Sequence, residues 1–344
     1  MDFDVIDPRR DERWDDFVLS HPNSSVFHTS SWARVLTESY GYEPKYLVRR
    51  SNGKFETAIP VMEVRGALCG RRAVSLPFSD YCDPLIGGET SLSEVLDGLR
   101  LHGKASGWRS FEVRQRGPLP HGLQSSANFV GHVLDLLPNE DQLYSRLRGS
   151  TQRNIKKAAA EGVTVTAEQT DDAMAAFYRL NCLTRKDHGL PPQPISFFRN
   201  LIREIRAADS GFVVLADFKG VTIAGCVYMH FRDKAVYKFG ASDRKYQNLR
   251  ANNLVMWEAI RRYAVRGMRT LCFGRTEREN DGLRQFKSGW GTREEKIEYV
   301  KYDFSTGSYV KEKPRIKGVH NRFFRNIPIP VSRMIGSALY RYMA

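Results

Sequence analysis

Alternating apolar and polar residues predict two β-hairpins in this chain. YLVRRSNGKFETAIPVMEV, at residues 46–64, predicts two strands around an Asn-Gly turn, and FVVLADFKGVTIAGCVYMHF, at residues 212–231, predicts two strands around a Lys-Gly turn. An early residue of each second strand, Pro60 or Gly225, is expected to interrupt the ladder. The likeness predicts an internal repeat, although any two hairpins share these features.

Helical periodicity surrounds both hairpins. Further strands are predicted at AVSLPF, SFEVRQ, AVYKFGAS and TLCFG. The predicted helices cover residues 11–19, 31–40, 91–106, 171–188, 196–208 and 251–266. The order helix, hairpin, strand, helix, strand therefore occurs twice. It predicts an α/β (α+β) protein with two similar units, each a mixed sheet flanked by helices.

The segment between the repeats predicts one long or broken helix, which opens at Pro138 or Asn139 and closes at Gly162. Its cations form either a solvated face or an anion-binding surface; they are Arg148, Arg153, Lys156 and Lys157. The predicted domains are residues 1–137 and 138–303, followed by a basic amphipathic tail at residues 304–344.

The composition is that of a globular protein, with 344 residues, 41% hydrophobic and 27% charged. The cysteines are far apart and have no histidine at metal-ligand spacing, which predicts reduced thiols and no metal site; they are Cys69, Cys82, Cys182, Cys226 and Cys272. The acidic start does not resemble a secretory signal, and no apolar run is long enough to span a bilayer. We therefore expect a cytoplasmic protein.

A net charge of +14 predicts an anionic partner, which is nucleic acid, a phosphorylated small molecule or a membrane surface. Much of the excess follows Phe304, where Glu312 is the only acidic residue facing Lys311, Lys313, Arg315, Lys317, Arg322, Arg325, Arg333 and Arg341. Apolar residues lie among these cations: Phe323, Phe324, Ile327, Val331, Ile335, Leu339 and Tyr340. Residues 311–344 are thus expected to lie on an anionic membrane surface, or alternatively to pack on the protein.

Five motifs occur in this order along the chain: HTSSWARVLTESYGYEP, SLPFSDYCDPLIGG, QRNIKKAAAEGVTV, TRKDHGLPP and LCFGRTERENDGLRQFKSGWG. Over residues 25–302 they resemble the Fem family, the acyltransferases with two tandem GNAT-like domains, and notably members described beside exopolysaccharide and exosortase gene clusters. The resemblance implies transfer of an acyl or aminoacyl group to an amine of a peptidoglycan or exopolysaccharide precursor. It implies aminoacyl-tRNA or acyl-CoA as the donor, no tightly bound cofactor, and a transfer site in the second domain.

The lysine of the FKSGWG motif has the chemistry that this reaction requires. Attack of an amine on an ester or thioester carbonyl builds negative charge on oxygen, and a fixed cation such as Lys287 stabilises that charge. The resemblance extends the reaction centre to Phe286. Trp290 either stacks on substrate or packs in the core. Arg275, at a strand end, either places a cation in the site or belongs to an ordinary turn.

Donor binding is expected in the segment DRKYQNLRANN. GNAT enzymes that use CoA hold its pyrophosphate on a glycine-rich loop at a helix N-terminus, and the matching segment here has cations but no glycines. The candidate residues are Arg244, Lys245, Arg250 and Asn252. The missing glycines favour aminoacyl-tRNA or another carrier-borne donor over acyl-CoA.

Two further sets of residues are expected to bind substrate. Arg185, Lys186 and His188 form a possible clamp for a diphosphate or carboxylate, and His188 is either a general base or a helix-terminal histidine. Asp80 and Asp83 either hold the acceptor amine or cap a turn. The family commonly has glycine where Asp83 stands.

Two other functions stay open. One is a CoA-dependent N-acyltransferase of a small or lipid-linked amine. The other is a non-catalytic double-GNAT module that binds a polyanion or a membrane for an envelope assembly system.

Overall fold

The computed structural model describes residues 3–66, 70–311 and 319–343. The helices are α1 Arg13–Ser20, α2 Ser30–Tyr40, α3 Leu92–Ala105, α4 Glu140–Ser145, α5 Gly149–Ala160, α6 Asp171–Asp187, α7 Ile195–Ala207, α8 Ala251–Val265, α9 Asp281–Ser288, α10 Val319–Asn326 and α11 Ile329–Leu339. The strands are β1 Asp4–Ile6, β2 Glu43–Pro44, β3 Tyr46–Ser51, β4 Lys54–Ile59, β5 Met62–Gly66, β6 Gly70–Val74, β7 Trp108–Arg116, β8 Ala127–Asp135, β9 Thr164–Glu168, β10 Gly211–Phe218, β11 Val221–Phe231, β12 Lys234–Ser242, β13 Thr270–Glu277, β14 Arg293–Asp303 and β15 Ser308–Tyr309.

The six predicted helices are all present, with ends that differ by one or two residues. The predicted linking helix is broken into α4 and α5. Asn139 starts α4, because its side chain accepts a hydrogen bond from the backbone N–H of Gln142 at 2.9 Å. The mixed α/β fold predicted from the repeating pattern is confirmed.

The chain forms two compact units that do not follow the predicted boundaries. The first unit draws on residues 1–130, 295–314 and 339–344, and the second on residues 131–294 and 315–338. Residues 295–303 were predicted in the second domain but belong to the first unit. The reason is pairing: β14 runs antiparallel to β7 from Ile297↔Arg116 to Asp303↔Ser110.

The first unit contains a small sheet and a larger one. The small sheet has the order β1-β3-β4, and the strands of the larger one follow the order β2-β5-β6-β7-β14. Helix α3 begins with a capping box, in which Ser91 and Glu94 hydrogen-bond each other's backbone N–H groups. Its apolar side chains, Val95 and Leu99 among them, pack in the core with Phe111 of β7.

The second unit has the strand order β9-β10-β11-β12-β13, in which only β12 and β13 are parallel. Alternate residues of β10, Phe212, Val214 and Ala216, share a core with side chains of α5 and α8. Helices α6 and α7 contact β10 as well. Because side chains alternate across a strand, helices cover both faces of this sheet.

The two hairpins have the same turn and a register shift at the same distance from it, between Arg49 and Arg50 of β3 and between Ala216 and Asp217 of β10. Asn52 and Gly53 have φ of 50° and 76°, and Lys219 and Gly220 have the same pair of values, as a type I′ turn requires. Strand β4 ends before Pro60, as predicted. The expectation for Gly225 is wrong, since it pairs with Leu215 in register.

The glycine at position 225 serves packing instead. A Cβ at this position would lie 2.8 Å from Cδ2 of Leu215, so glycine lets that side chain approach the strand closely. The register shifts of β11 fall elsewhere, opposite Ala216/Asp217 of β10 and between Val227 and Tyr228.

Four cysteines are buried thiols, namely Cys82, Cys182, Cys226 and Cys272. Cys69 lies outside the described residues, as do Glu312, Lys313, Arg315 and Lys317 of the tail. Within the described ranges, none of the helices combines the length and the apolar character needed to cross a bilayer.

Candidate active site

Strands β12 and β13 of the second unit part at their carboxyl ends. They pair in parallel from Lys234↔Thr270 to Val236↔Cys272, yet β12 continues to Ser242 and β13 to Glu277. Because the strands are parallel, both of these ends lie at the same edge of the sheet. The edge beyond the carboxyl ends of parallel strands is a common place for ligand binding.

Lys287 of α9 reaches this edge. Its Nζ donates hydrogen bonds to the backbone oxygens of Gly274 at 3.1 Å and Arg275 at 3.0 Å, and the residue is only 4% exposed. Successive carbonyls of a regular strand point in opposite directions, so one ammonium group does not ordinarily reach both. Gly274 has a φ of 70°, which turns the chain and lets the two oxygens converge.

The C-terminal end of α9 is fixed by α5. The backbone oxygen of Gly289 accepts hydrogen bonds from the backbone N–H of Arg148 at 2.9 Å and from Oγ1 of Thr151 at 3.0 Å. A Cβ at Gly289 would lie 2.9 Å from that same Oγ1, so the contact requires glycine. Lys287 is therefore held by its own helix, by α5 and by the end of β13. Arg148, one of the predicted cations of the linking helix, contributes to this contact through its backbone N–H.

The two aromatic residues of this motif differ in exposure. Trp290 is fully buried in the core of the second unit, so it packs rather than stacks on a ligand. Phe286 is 38% exposed and its ring lies edge-on to Trp290, with 6.2 Å between centroids. Phe286 therefore presents an apolar surface beside the lysine.

The sequence reasoning missed His132, on β8. It is fully buried, and neither ring nitrogen has a hydrogen-bond partner among the described residues. Burial, together with the nearby charge of Lys287, lowers the pKa of His132 from 6.5 to about 4. The only signal in the sequence is one histidine in an alternating strand, GHVLD, and that signal is weak.

The end of β12 is tied to two helices. Thr184 of α6 donates from Oγ1 to the backbone oxygen of Ser242 at 3.2 Å and accepts its N–H at 3.0 Å. The side-chain amide of Asn252, at the start of α8, donates to Oγ of Ser242 at 3.2 Å. These bonds bring the C-terminus of α6 and the N-terminus of α8 to the carboxyl end of β12.

His188, which follows the C-terminal end of α6, experiences the charge of several cations and of Asp187, which acts in the opposite direction. Partial burial and the charge of Arg185 lower the pKa of His188, and Arg244 and Arg325 add to the effect. Arg185 and His188 were predicted as parts of a substrate clamp and Arg244 as a donor-binding residue, and the charges of both arginines act on His188. Arg325, from α10, was predicted only as one of the cations of the tail. We call Arg185, His188, Arg244 and Arg325 the basic cluster.

The other predicted donor-site residues are less constrained. Lys245 and Arg250 are exposed, and Arg250 has a φ of 60° at the N-cap of α8, a conformation that glycine adopts most easily. Arg275 contributes its backbone oxygen to Lys287, while Lys186 is half-buried. No group of three His, Cys, Asp or Glu in the described part of the chain is arranged to hold a metal ion.

Asp80 and Asp83 belong to the first unit. Arg116 donates to Asp83 from its backbone N–H at 2.7 Å, from Nε at 2.9 Å and from Nη2 at 2.7 Å. Both oxygens of Asp83 are thereby engaged in holding the loop, and neither predicted alternative anticipated this partner. The backbone oxygen of Asp80 accepts from the Tyr299 hydroxyl at 2.8 Å.

Comparison with known proteins identifies the fold. The family model "Acetyltransferase (GNAT) domain" matches residues 145–288. A crystal structure of FemX superposes with a TM-score of 0.67 at 14% identity, covering 87% of this chain and 97% of that one. A tandem GNAT protein from the clavulanic acid pathway gives 0.56 at 11% identity, covering 88% and 98%. This chain has the tandem GNAT fold.

A third similar structure is the C-terminal domain of a putative lysylphosphatidylglycerol synthetase from Agrobacterium fabrum. It superposes with a TM-score of 0.57 at 14% identity, covering 86% of this chain and 92% of that one. A search of curated proteins finds no match. The resemblance to Fem proteins is confirmed at the level of fold, and the matched segment contains α9 with Lys287.

Replacing Gly289 by alanine is expected to destabilise the second unit. The added methyl group must displace Thr151, which costs roughly 1–3 kcal/mol of unfolding free energy. Gly282→Ala is the matched control, because Gly282 lies in α9, which ends directly before Gly289, and has nothing near its Cβ position. Urea unfolding of both variants measures the difference. Equal stability of the two would contradict the proposed contact.

Acid is expected to destabilise the protein partly through His132. The folded state keeps this ring neutral down to about pH 4, whereas the unfolded chain takes up a proton below about 6.5. Stability from this group is complete above pH 6.5 and falls as the pH drops towards 4. Between pH 6.5 and 5 the free energy of unfolding of His132→Leu should fall by roughly 2 kcal/mol less than that of the parent protein. The reason is that uptake of one proton by the unfolded chain is worth about 1.4 kcal/mol per pH unit.

Urea unfolding across that range measures the effect of His132, with the exposed His121→Leu as the control. If the free energies of unfolding of the parent protein and His132→Leu fall equally as the pH is lowered, the conclusion that the buried ring is neutral is refuted.

Proposed function

We propose that this protein is an N-acyltransferase that forms an amide between an acyl or aminoacyl donor and an amine of a cell-envelope precursor. The observation that supports it is the position of Lys287. Its ammonium group is buried where β12 and β13 part, inside the segment that matches the GNAT family model. Fixed charge in a water-poor site is the usual means of stabilising a developing oxyanion.

The proposed reaction is acyl transfer by direct attack. The amine nitrogen bonds to the carbonyl carbon, and the carbonyl electron pair moves to oxygen, where Lys287 stabilises it. The bond from that carbon to the donor oxygen or sulfur then breaks, and the nitrogen proton passes to water or to the leaving group. Phe286, exposed beside the lysine, is proposed to contact the reacting groups.

The donor is proposed to bind through its phosphate groups at the basic cluster. Aminoacyl-tRNA and acyl-CoA both carry phosphates, so the cluster suits either donor. The N-terminus of α8 lacks the glycine-rich loop typical of CoA-dependent GNAT enzymes, which favours aminoacyl-tRNA. The likeness to the tandem GNAT protein of the clavulanic acid pathway, whose structure is described as one without AcCoA, supports acyl-CoA as the alternative donor. Turnover of purified protein with each donor in turn distinguishes them.

The acceptor is proposed to be an amine on a peptidoglycan or exopolysaccharide precursor, as the likeness to FemX suggests. A lipid-linked acceptor is the second candidate, because the name of another neighbour states lysylphosphatidylglycerol as a product. A non-catalytic binding module remains the rival from a different class, and substitution of Lys287 tests it.

Lys287→Met is expected to reduce kcat by about 10²-fold or more, because one oxyanion donor is typically worth that much. It also leaves two backbone oxygens without this donor, so thermal unfolding must first show a folded protein at the assay temperature. Lys104→Met, which removes an exposed lysine of α3, is the matched control. A folded Lys287→Met protein with undiminished turnover refutes the catalytic role. If the parent protein shows no turnover and Lys287→Met binds the donor with unchanged affinity, the protein is a binding module.

Arg244→Gln and Arg325→Gln are expected to raise KM for the donor by about tenfold each, with little change in kcat. A charge-assisted hydrogen bond to phosphate is worth about 1.5–3 kcal/mol, and the phosphates are not part of the transferred group. Arg199→Gln, an exposed arginine of α7, is the control. Steady-state kinetics at two salt concentrations measure the effect. An unchanged KM in both variants would place the phosphates elsewhere.

A further inference from the structure

Helix α11 packs through its small residues and exposes its large ones. Ser332 and Gly336 are buried, and any side chain at Gly336 would collide with the backbone oxygen of Pro192. Val331 is 42% exposed and Met334 is 74% exposed. A helix stabilised only by the protein core does the opposite and buries its large apolar residues.

The exposed residues form a continuous stripe. At 3.6 residues per turn, Met334, Ala338, Val331 and Ile335 fall within an arc of about 100°. Three of them are exposed and Ile335 is half-buried. We call these four residues the outer face of α11. Phe323 of α10, at 54% exposure, adds another large apolar side chain in the same tail.

The charge of this part of the sequence indicates the partner of the outer face. Residues 313–344 contain seven Lys or Arg and no Asp or Glu. A second copy of this chain would bring like charges together, and nucleic acid would gain little from an apolar stripe. An anionic bilayer surface matches both properties, since it takes apolar side chains below its head groups and attracts cations to them.

We propose that the outer face of α11, together with Phe323, docks on a bilayer that contains anionic lipid. Arg322, exposed next to Phe323, faces the head groups. Arg333 instead lies over the Tyr178 ring, 5.2 Å from its centroid, and anchors α11 to the second unit. The surface would bring an enzyme with a lipid-linked acceptor to its substrate, but docking itself is independent of turnover.

The test is sedimentation of the full chain with vesicles of phosphatidylethanolamine and phosphatidylglycerol in a three-to-one ratio. The double substitution Val331→Asp/Met334→Asp should lower vesicle binding by roughly tenfold or more, since it removes apolar surface that would be buried in the bilayer and adds negative charge. The matched control is Leu101→Asp/Val265→Asp, at two exposed apolar positions of other helices. Circular dichroism checks that both proteins are folded.

Three results would overturn the proposal. The first is full binding by the outer-face variant, and the second is equal loss of binding in the control. The third is a change of oligomeric state in light scattering without a change in vesicle binding, which would make this face a contact between copies. Binding that persists on vesicles of phosphatidylcholine alone would refute the anionic requirement. Weaker binding at high salt and for Arg322→Gln would support it.

Discussion

The contact between the Lys287 ammonium group and two consecutive backbone oxygens of β13 is the constraint around which the second unit is arranged. It needs a glycine that turns the strand, a helix that delivers the lysine, and a second helix that holds the first through Gly289. Each element alone is ordinary. Together they keep a cation buried where two strands part, and a buried charge is costly unless such polar groups surround it.

Much of the fold could be predicted because it is encoded locally. Periodicity located the helices, and turn residues located the hairpins, since Lys219-Gly220 adopts the same turn as Asn52-Gly53. Pairing between distant segments could not be predicted in this way. Nothing within β14 indicates that its partner is β7, more than 150 residues earlier in the chain. The role of Gly225 could not be predicted for the same reason. This glycine leaves room for the side chain of Leu215, which lies in another strand.

The residues of the candidate site likewise divide into those that a local motif identifies and those that only the folded chain brings together. A motif with a lysine near glycines drew attention to Lys287 and Phe286, but the sequence did not show the oxygens that the lysine meets. Arg325 and His132 were missed because one lies in a tail and the other in a strand, and only folding brings them near other charges. The catalytic roles of Lys287 and Phe286 and the binding role of Arg325 are predictions.

The order of strands in the first unit also bears on how the molecule is assembled. Its strand β14 is made after residues 131–294 of the second unit, so β7 lacks that partner until residues 297–303 have left the ribosome. Until then an unprotected sheet edge is open to pairing with other chains. A fragment that stops at residue 137 keeps that edge permanently, which makes it prone to aggregate.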